Sequence, residues 1–177
     1  MWFYPWIIQN LYFRMDSKLS HYLIKHSISY IEHKHPPVFT VEQHHKLMPE
    51  TPGVLHTKNL FLKDEANNFY LICMYANKRL DLKLLKKKLK ARDKLSLASP
   101  EQLKEHLNLT PGSVSIFGMI HAKNVSLILD KQVWESEKVG FHPNINTSTL
   151  ELSHTDLKKF YDSLKSKKEI IDLENET

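Results

Sequence analysis

The sequence predicts a single α+β domain, and three observations carry that assignment. The chain has 177 residues, 41% of them hydrophobic and 25% charged, enough for one domain with a real core and short for two. Apolar strand-like runs and amphipathic helical stretches are mixed along it without a regular βαβ alternation. Linker-like stretches are short, repeats are absent and glycines number only four, so no boundary appears within residues 15–177. Residues 1–14 are set apart as an N-terminal extension or a tag remnant, since "NLYFRM" resembles a protease site. They are too few to span a bilayer and lack a basic n-region and a cleavage site.

The elements follow in order. Asp16 and Ser17 can cap a helix carrying Leu19, Tyr22 and Leu23 on one face and ending near His26. "SISYIEH" reads as a strand, and Pro36-Pro37 stops regular structure. Thr40 followed by Gln43 matches a capping box, which predicts a short helix over "TVEQHHKLM". Strands are expected over 59–63 and 69–75, joined by the turn-like "DEANN". Their unbroken apolar runs mean burial on both faces. Lys58 then stands at the mouth of the first of them, although lysine is costly to bury. Either it snorkels outward or it is held for chemistry.

"RLDLKLLKKKLKARD" reads as an amphipathic helix, with Leu82, Leu85 and Leu89 on one face and Lys83, Lys86, Lys87 and Lys90 on another. "KLSLAS" is a short strand. Ser99-Pro100-Glu101-Gln102 opens a helix with a cap, a proline in the first turn and a capping-box glutamine. "VSLILD" is a buried strand, and "TSTLELS" alternates with Leu150 and Leu152 inward. Ser153 with Asp156 begins the last helix, and "EIIDL" is a closing strand.

Charge is unevenly placed. The chain carries +5 overall, but residues 78–94 hold nine basic and two acidic side chains, a local +7 against −2 elsewhere. A basic patch on a near-neutral body fits a polyanion. The one cysteine, Cys73, excludes an internal disulfide, fits a reducing compartment and reads as a core thiol. The eleven histidines do not form a metal-binding pattern: there is no HExxH or CxxC, and His44 and His45 would diverge by about 100° on a helix. GxGxxG, GxxxxGK[ST] and GxSxG are all missing, so no metal and no cofactor is expected.

Three loops look specialised. One leads into Lys58. The second is "TPGSVSIFG", where Pro111-Gly112 suits a type II turn. There Gly112 and Gly118 would leave backbone N–H groups open to a ligand. The third is "GFHPNINTST", where Gly140, His142, Asn146 and Thr147 gather donors and acceptors before a buried strand.

These segments resemble a known family. "HPPVFTVEQ", "HTKNLFLKD", "KRLDLKLLKKKL", "LSLASPEQLKEHLNLTPGSVSIFG", "LILDKQVWE" and "GFHPNINTSTLELSHTDLKKF" stand in the order of the YbaK/ProX family, over roughly residues 16–173. These are free-standing aminoacyl-tRNA deacylases related to the editing domain of bacterial prolyl-tRNA synthetase, and the chain is most similar to the ProX branch, which deacylates alanyl-tRNA(Pro). The resemblance implies a mixed, barrel-like sheet with helices around it, and Lys58 as the residue essential for hydrolysis. It also implies a substrate pocket drawing on Gly112, Ser113, Ile116, Phe117, Gly118, Gly140, His142, Asn146 and Thr147. In the family this loop reads G-x-x-x-P, and Ile116 stands where the proline is expected. The implied partners are the 3′ acceptor end of an aminoacyl-tRNA, with tRNA(Pro) expected, and prolyl-tRNA synthetase. No membrane is involved and the compartment is the cytoplasm. Lys83, Lys86, Lys87 and Lys90 would touch the tRNA backbone. Other readings are the same hydrolysis on a cysteinyl or seryl ester, or a non-catalytic module that docks on tRNA or a synthetase.

Overall fold

The computed structural model describes residues 15–37, 51–92 and 94–174. The helix expected over "TVEQHHKLM" lies outside them. Eight strands form one mixed sheet: β1 (Ile31–Lys34), β2 (Leu55–Lys63), β3 (Phe69–Tyr75), β4 (Ser96–Leu97), β5 (Val125–Asp130), β6 (Lys138–Phe141), β7 (Ser148–Ser153) and β8 (Lys168–Ile171). Their order is β1-β7-β6-β2-β3-β5-β8, with β4 added to β2. The sheet stays open, with β1 and β8 at its two ends. Strand β2 joins its halves, pairing in parallel with β6 through Leu55 and His56 and antiparallel with β3 from Thr57 onward.

Alternation along the central strands explains their unbroken apolar runs. Leu71 and Cys73 of β3 and Leu127 and Leu129 of β5 point into the main core. Ile72, Met74 and Ile128 point into a second cluster on the opposite face. Both faces are covered, as expected of such runs. Burial pushes the Cys73 thiol well up, so it is an inert core group. Among the described residues, no helix is long and apolar enough to cross a membrane.

The main core is roofed by α1 (Ser17–Lys25), α3 (Pro100–Leu107), α5 (His154–Ser163) and a 3-10 segment, Ile116–His121. The second cluster lies under α2 (Leu82–Leu89), whose Leu85 is fully buried there. A single turn, α4 (Lys131–Trp134), follows β5. The caps are local and fall where the sequence puts them. Asp16 accepts from Lys18 N, Ser99 and Gln102 close a full capping box behind Pro100, and Ser153 accepts from Asp156 N.

Four expectations need correction. The "SISYIEH" strand begins only at Ile31, because Ser27 takes φ 53° and wraps the end of α1. Leu82 is 41% exposed, so only Leu85 and Leu89 of the leucine row meet the cluster. On β7, Leu150 and Leu152 do face the core, but Thr149 and Glu151 are buried on the other side as well. Finally, β2 starts at Leu55. Lys58 is its fourth residue and not its mouth, since β6 pairs with Leu55 and His56 and β3 pairs from Thr57 onward, which draws the polar residues 56–59 into the sheet.

Candidate active site

One sheet face is polar across four strands. Leu55, Val139, Phe141, Leu150 and Leu152 fill the main core. Their neighbours in sequence therefore point the other way. In this half of the sheet Gly140 pairs with both His56 and Glu151, and Thr149 pairs with His33. His33, His35, His56, Lys58, Gly140, His142, Thr149 and Glu151 thus share a face. His142 follows β6 directly, and its ring packs against that of His35 with centroids 5.7 Å apart.

Short contacts tie this face together. His33 Nε2 lies 2.8 Å from Glu151 Oε2, and Lys138 Nζ lies 3.2 Å from Oε1. Burial alone would raise the Glu151 carboxyl, but the hydrogen bonds from His33 and Lys138 hold it below its ordinary range. His56 Nε2 is 2.8 Å from Thr51 Oγ1, and the Thr57 hydroxyl donates to the Gly140 carbonyl at 2.8 Å. His142 Nδ1 donates to the Ile145 carbonyl at 3.3 Å, which leaves Nε2 as the acceptor in the neutral ring. Gly140 is needed for closeness. A Cβ there would lie 3.0 Å from His56 Nδ1, 3.1 Å from Thr149 Cγ2 and 3.3 Å from Val54 Cγ1.

Lys58 stands where this polar face meets the second apolar cluster. Leu60 and Leu62 continue its row on β2, and its cross-strand partner is the fully buried Met74. The side chain is half-buried, and burial pushes its ammonium below the ordinary lysine value. Among the described residues, no carboxylate pairs with it. Helix α2 covers the same face, so the lysine arc lies on the Lys58 side of the sheet. Lys83, Lys87 and Lys90 are exposed, and Lys86 is half-buried.

The second loop divides into two parts. Gly112 has φ +86° and Ser113 N donates to the Thr110 carbonyl at 3.1 Å, as a type II turn requires. Beyond Ser115 the chain turns inward. Ser115 caps the 3-10 segment through Phe117 N, and Ile116 and Phe117 are fully buried in the main core. Gly118 does not offer its N–H to a ligand, because that group donates to the Ser115 carbonyl at 3.0 Å. Its missing side chain makes room for Leu109, whose Cδ1 would be 2.6 Å from a Cβ. This glycine serves packing.

The turn and the third loop do meet. Ser113, Asn144, Asp16 and His121 help line a cavity of about 310 Å³; Lys58 is not among its lining residues. Gly140, His142 and Lys58 thus lie on one face, while Ser113 lines the separate cavity beside Asn144. Asn146 is half-buried in the loop after β6. In that same loop Thr147 Oγ1 and Asn144 Oδ1 are buried with no hydrogen-bond partner among the described residues, as is Asn59 Oδ1 on β2. Buried polar atoms of this kind are uncommon and mark places where a water or ligand group fits. Sequence reasoning missed His33, His35, His56, Asn59 and Asn144. The only available signal was the two-residue spacing of histidines in "EHKHPP".

Comparison with known proteins gives the family. Residues 35–160 match the aminoacyl-tRNA editing domain, a span that includes β2, the polar face except His33, and the loops at 110–118 and 140–149. The chain is 37% identical over 135 residues to the prolyl-tRNA editing protein ProX of Acetoanaerobium sticklandii, covering 75% of this chain and 81% of that one. It is 32% identical over 131 residues to the prolyl-tRNA synthetase associated domain-containing protein 1 of Danio rerio, covering 72% and 70%. Its fold superimposes with a TM-score of 0.68 on a crystal structure of a candidate trans-editing enzyme for prolyl-tRNA synthetase, at 15% identity over 92% of this chain and 99% of that one. The chain belongs to the aminoacyl-tRNA editing domain family, and its activity is that of an aminoacyl-tRNA deacylase.

Proposed function

We propose that this deacylase edits in trans, hydrolysing the alanyl ester of Ala-tRNA(Pro), with Lys58 as its central charged group. The observation that carries the reading is a half-buried ammonium with no counter-ion among the described residues, on one sheet face with His142 and Gly140. An aminoacyl ester on a ribose hydroxyl is already activated. Its hydrolysis needs a positioned water and stabilisation of the developing oxyanion or leaving oxygen. The Lys58 ammonium supplies that positive charge. His142, whose Nδ1 donates to the Ile145 carbonyl, would orient the substrate or the attacking water on this face. Thr147 and Asn146, in the loop after His142, would border the amino-acid end, and Gly112 and Ser113 would reach it from the turn that meets that loop at Asn144.

Alanine is the expected acyl group on grounds of size. A proline synthetase rejects a smaller amino acid poorly, because a missing methylene is worth only about 1–3 kcal/mol. A second, smaller site that excludes the proline ring corrects the error. The partner is then tRNA(Pro), with prolyl-tRNA synthetase as the source of the mischarged product, and the setting is the cytoplasm. The test is the ratio of deacylation rates on Ala-tRNA(Pro) and Pro-tRNA(Pro), with cysteinyl and seryl esters alongside. The alanyl ester should react at least about tenfold faster than the prolyl ester, one tenfold step being about 1.4 kcal/mol. A ratio near one would remove the size sieve. A faster seryl or cysteinyl reaction would change the substrate and keep the chemistry.

The lysine arc of α2 lies on the Lys58 side of the sheet and would hold the acceptor stem while the ester enters. Replacing Lys83, Lys86, Lys87 and Lys90 by Gln should weaken tRNA binding and flatten its salt dependence, by roughly one unit of slope for each phosphate no longer neutralised. An unchanged slope in a salt titration would make the arc an ordinary solvated surface.

A further inference from the structure

We propose that His35 is a positioning residue for His142, holding the imidazole and the loop behind it in the geometry the reaction uses. This rests on the role just given to His142. His35 is 7% exposed and sits at the end of β1. Its Nδ1 is 2.8 Å from the Pro36 carbonyl and must donate, because a carbonyl only accepts. In the neutral ring Nε2 is then an acceptor, and it lies 3.1 Å from the Thr149 hydroxyl.

Both ring nitrogens are therefore engaged, and the ring plane is fixed. That plane meets the His142 ring edge to face, with centroids 5.7 Å apart and an interplanar angle of 83°. Meanwhile the His35 N–H donates to the Thr147 carbonyl at 3.1 Å. His35 thus grips the loop at its return into β7, braces its first residue, and bonds to β7 itself through Thr149. The carbonyl that fixes the His142 tautomer belongs to Ile145, inside the same loop. Without the His35 ring, His142 has room to turn away from that carbonyl, and either nitrogen can then carry the proton.

The test uses the full chain with His35→Ala and His35→Phe, and His142→Ala as a reference. The Ala variant should show a mixture of His142 tautomers in imidazole nitrogen spectra, where the parent shows Nδ1–H. Its kcat on Ala-tRNA should fall roughly ten- to a hundredfold, the scale of a small misplacement of a catalytic group, with KM little changed. The Phe variant rebuilds the ring wall without the hydrogen bonds and should recover most of both signals. An unchanged His142 tautomer in His35→Ala, or Phe behaving no better than Ala at matched stability, overturns the proposal. If His142→Ala leaves deacylation intact, the role given to His142 falls, and the tautomer spectra still decide whether His35 positions it.

Discussion

Lys58→Ala is expected to cut deacylation about a hundredfold or more, the scale for losing one preorganised electrostatic group, while leaving the melting temperature nearly unchanged. The two halves of this expectation have one cause. Burial lowers the affinity of the Lys58 side chain for a proton, so the folded state is burdened by the charge at neutral pH. For a base whose pKa is depressed on folding, the site adds stability only above its unfolded value. That contribution is lost as pH falls through the lowered folded value. Over the neutral range the ammonium is therefore a cost to folding, and removing it does not unfold the protein. The same shift sets the alkaline limb of the activity. The positive charge disappears below the ordinary lysine value of 10.5, so turnover should decline on raising the pH before free lysine would titrate. Near-normal rates in Lys58→Ala, measured with a minimal aminoacyl-acceptor substrate, would remove Lys58 from the mechanism.

The sequence was most legible where the controlling interactions are local. The Ser99–Gln102 capping box, the Asp16 and Ser153 caps, and the two-sided burial of β3 and β5 each follow from residues close together in the chain. Lys58, Gly140 and His142, expected from the family resemblance, share a face. What stayed hidden depends on distant partners. The start of β2 depends on parallel pairing of Leu55 and His56 with Val139 and Gly140 of β6, and nothing local announces it. Polar residues such as His56 and Thr57 read as loop until β6 and β3 supply their neighbours. The polar face has the same origin, since His33 and Glu151 meet across 118 positions of sequence. Ile116 and Phe117, which the resemblance assigns to the substrate loop, are buried in the main core, and "IFGMI" is an apolar run able to enter it.

Phe117→Ala should therefore act on stability and not on substrate choice. The Phe117 ring is fully buried and stands edge-on to Phe141 at 5.8 Å and to Phe160 at 5.1 Å. It links the 3-10 segment to β6 and α5. Truncation removes this ring packing and leaves a cavity, and rigid strands on one side limit how far the site can collapse. The expected loss is about 3–5 kcal/mol, or roughly 6–20 °C in melting temperature for a domain of this size. The denaturant midpoint should drop with little change in slope, since the surface exposed on unfolding is nearly the same. Well below its melting point the variant should keep the parental preference between alanyl and prolyl esters. Ile116→Pro gives a companion reading. Proline suits the first position of the 3-10 segment, yet it removes a fully buried aliphatic side chain from the same core. Its leading effect should again be on folding. A Phe117→Ala protein of unchanged stability whose ester preference has collapsed would put the ring in the substrate pocket and not in the core.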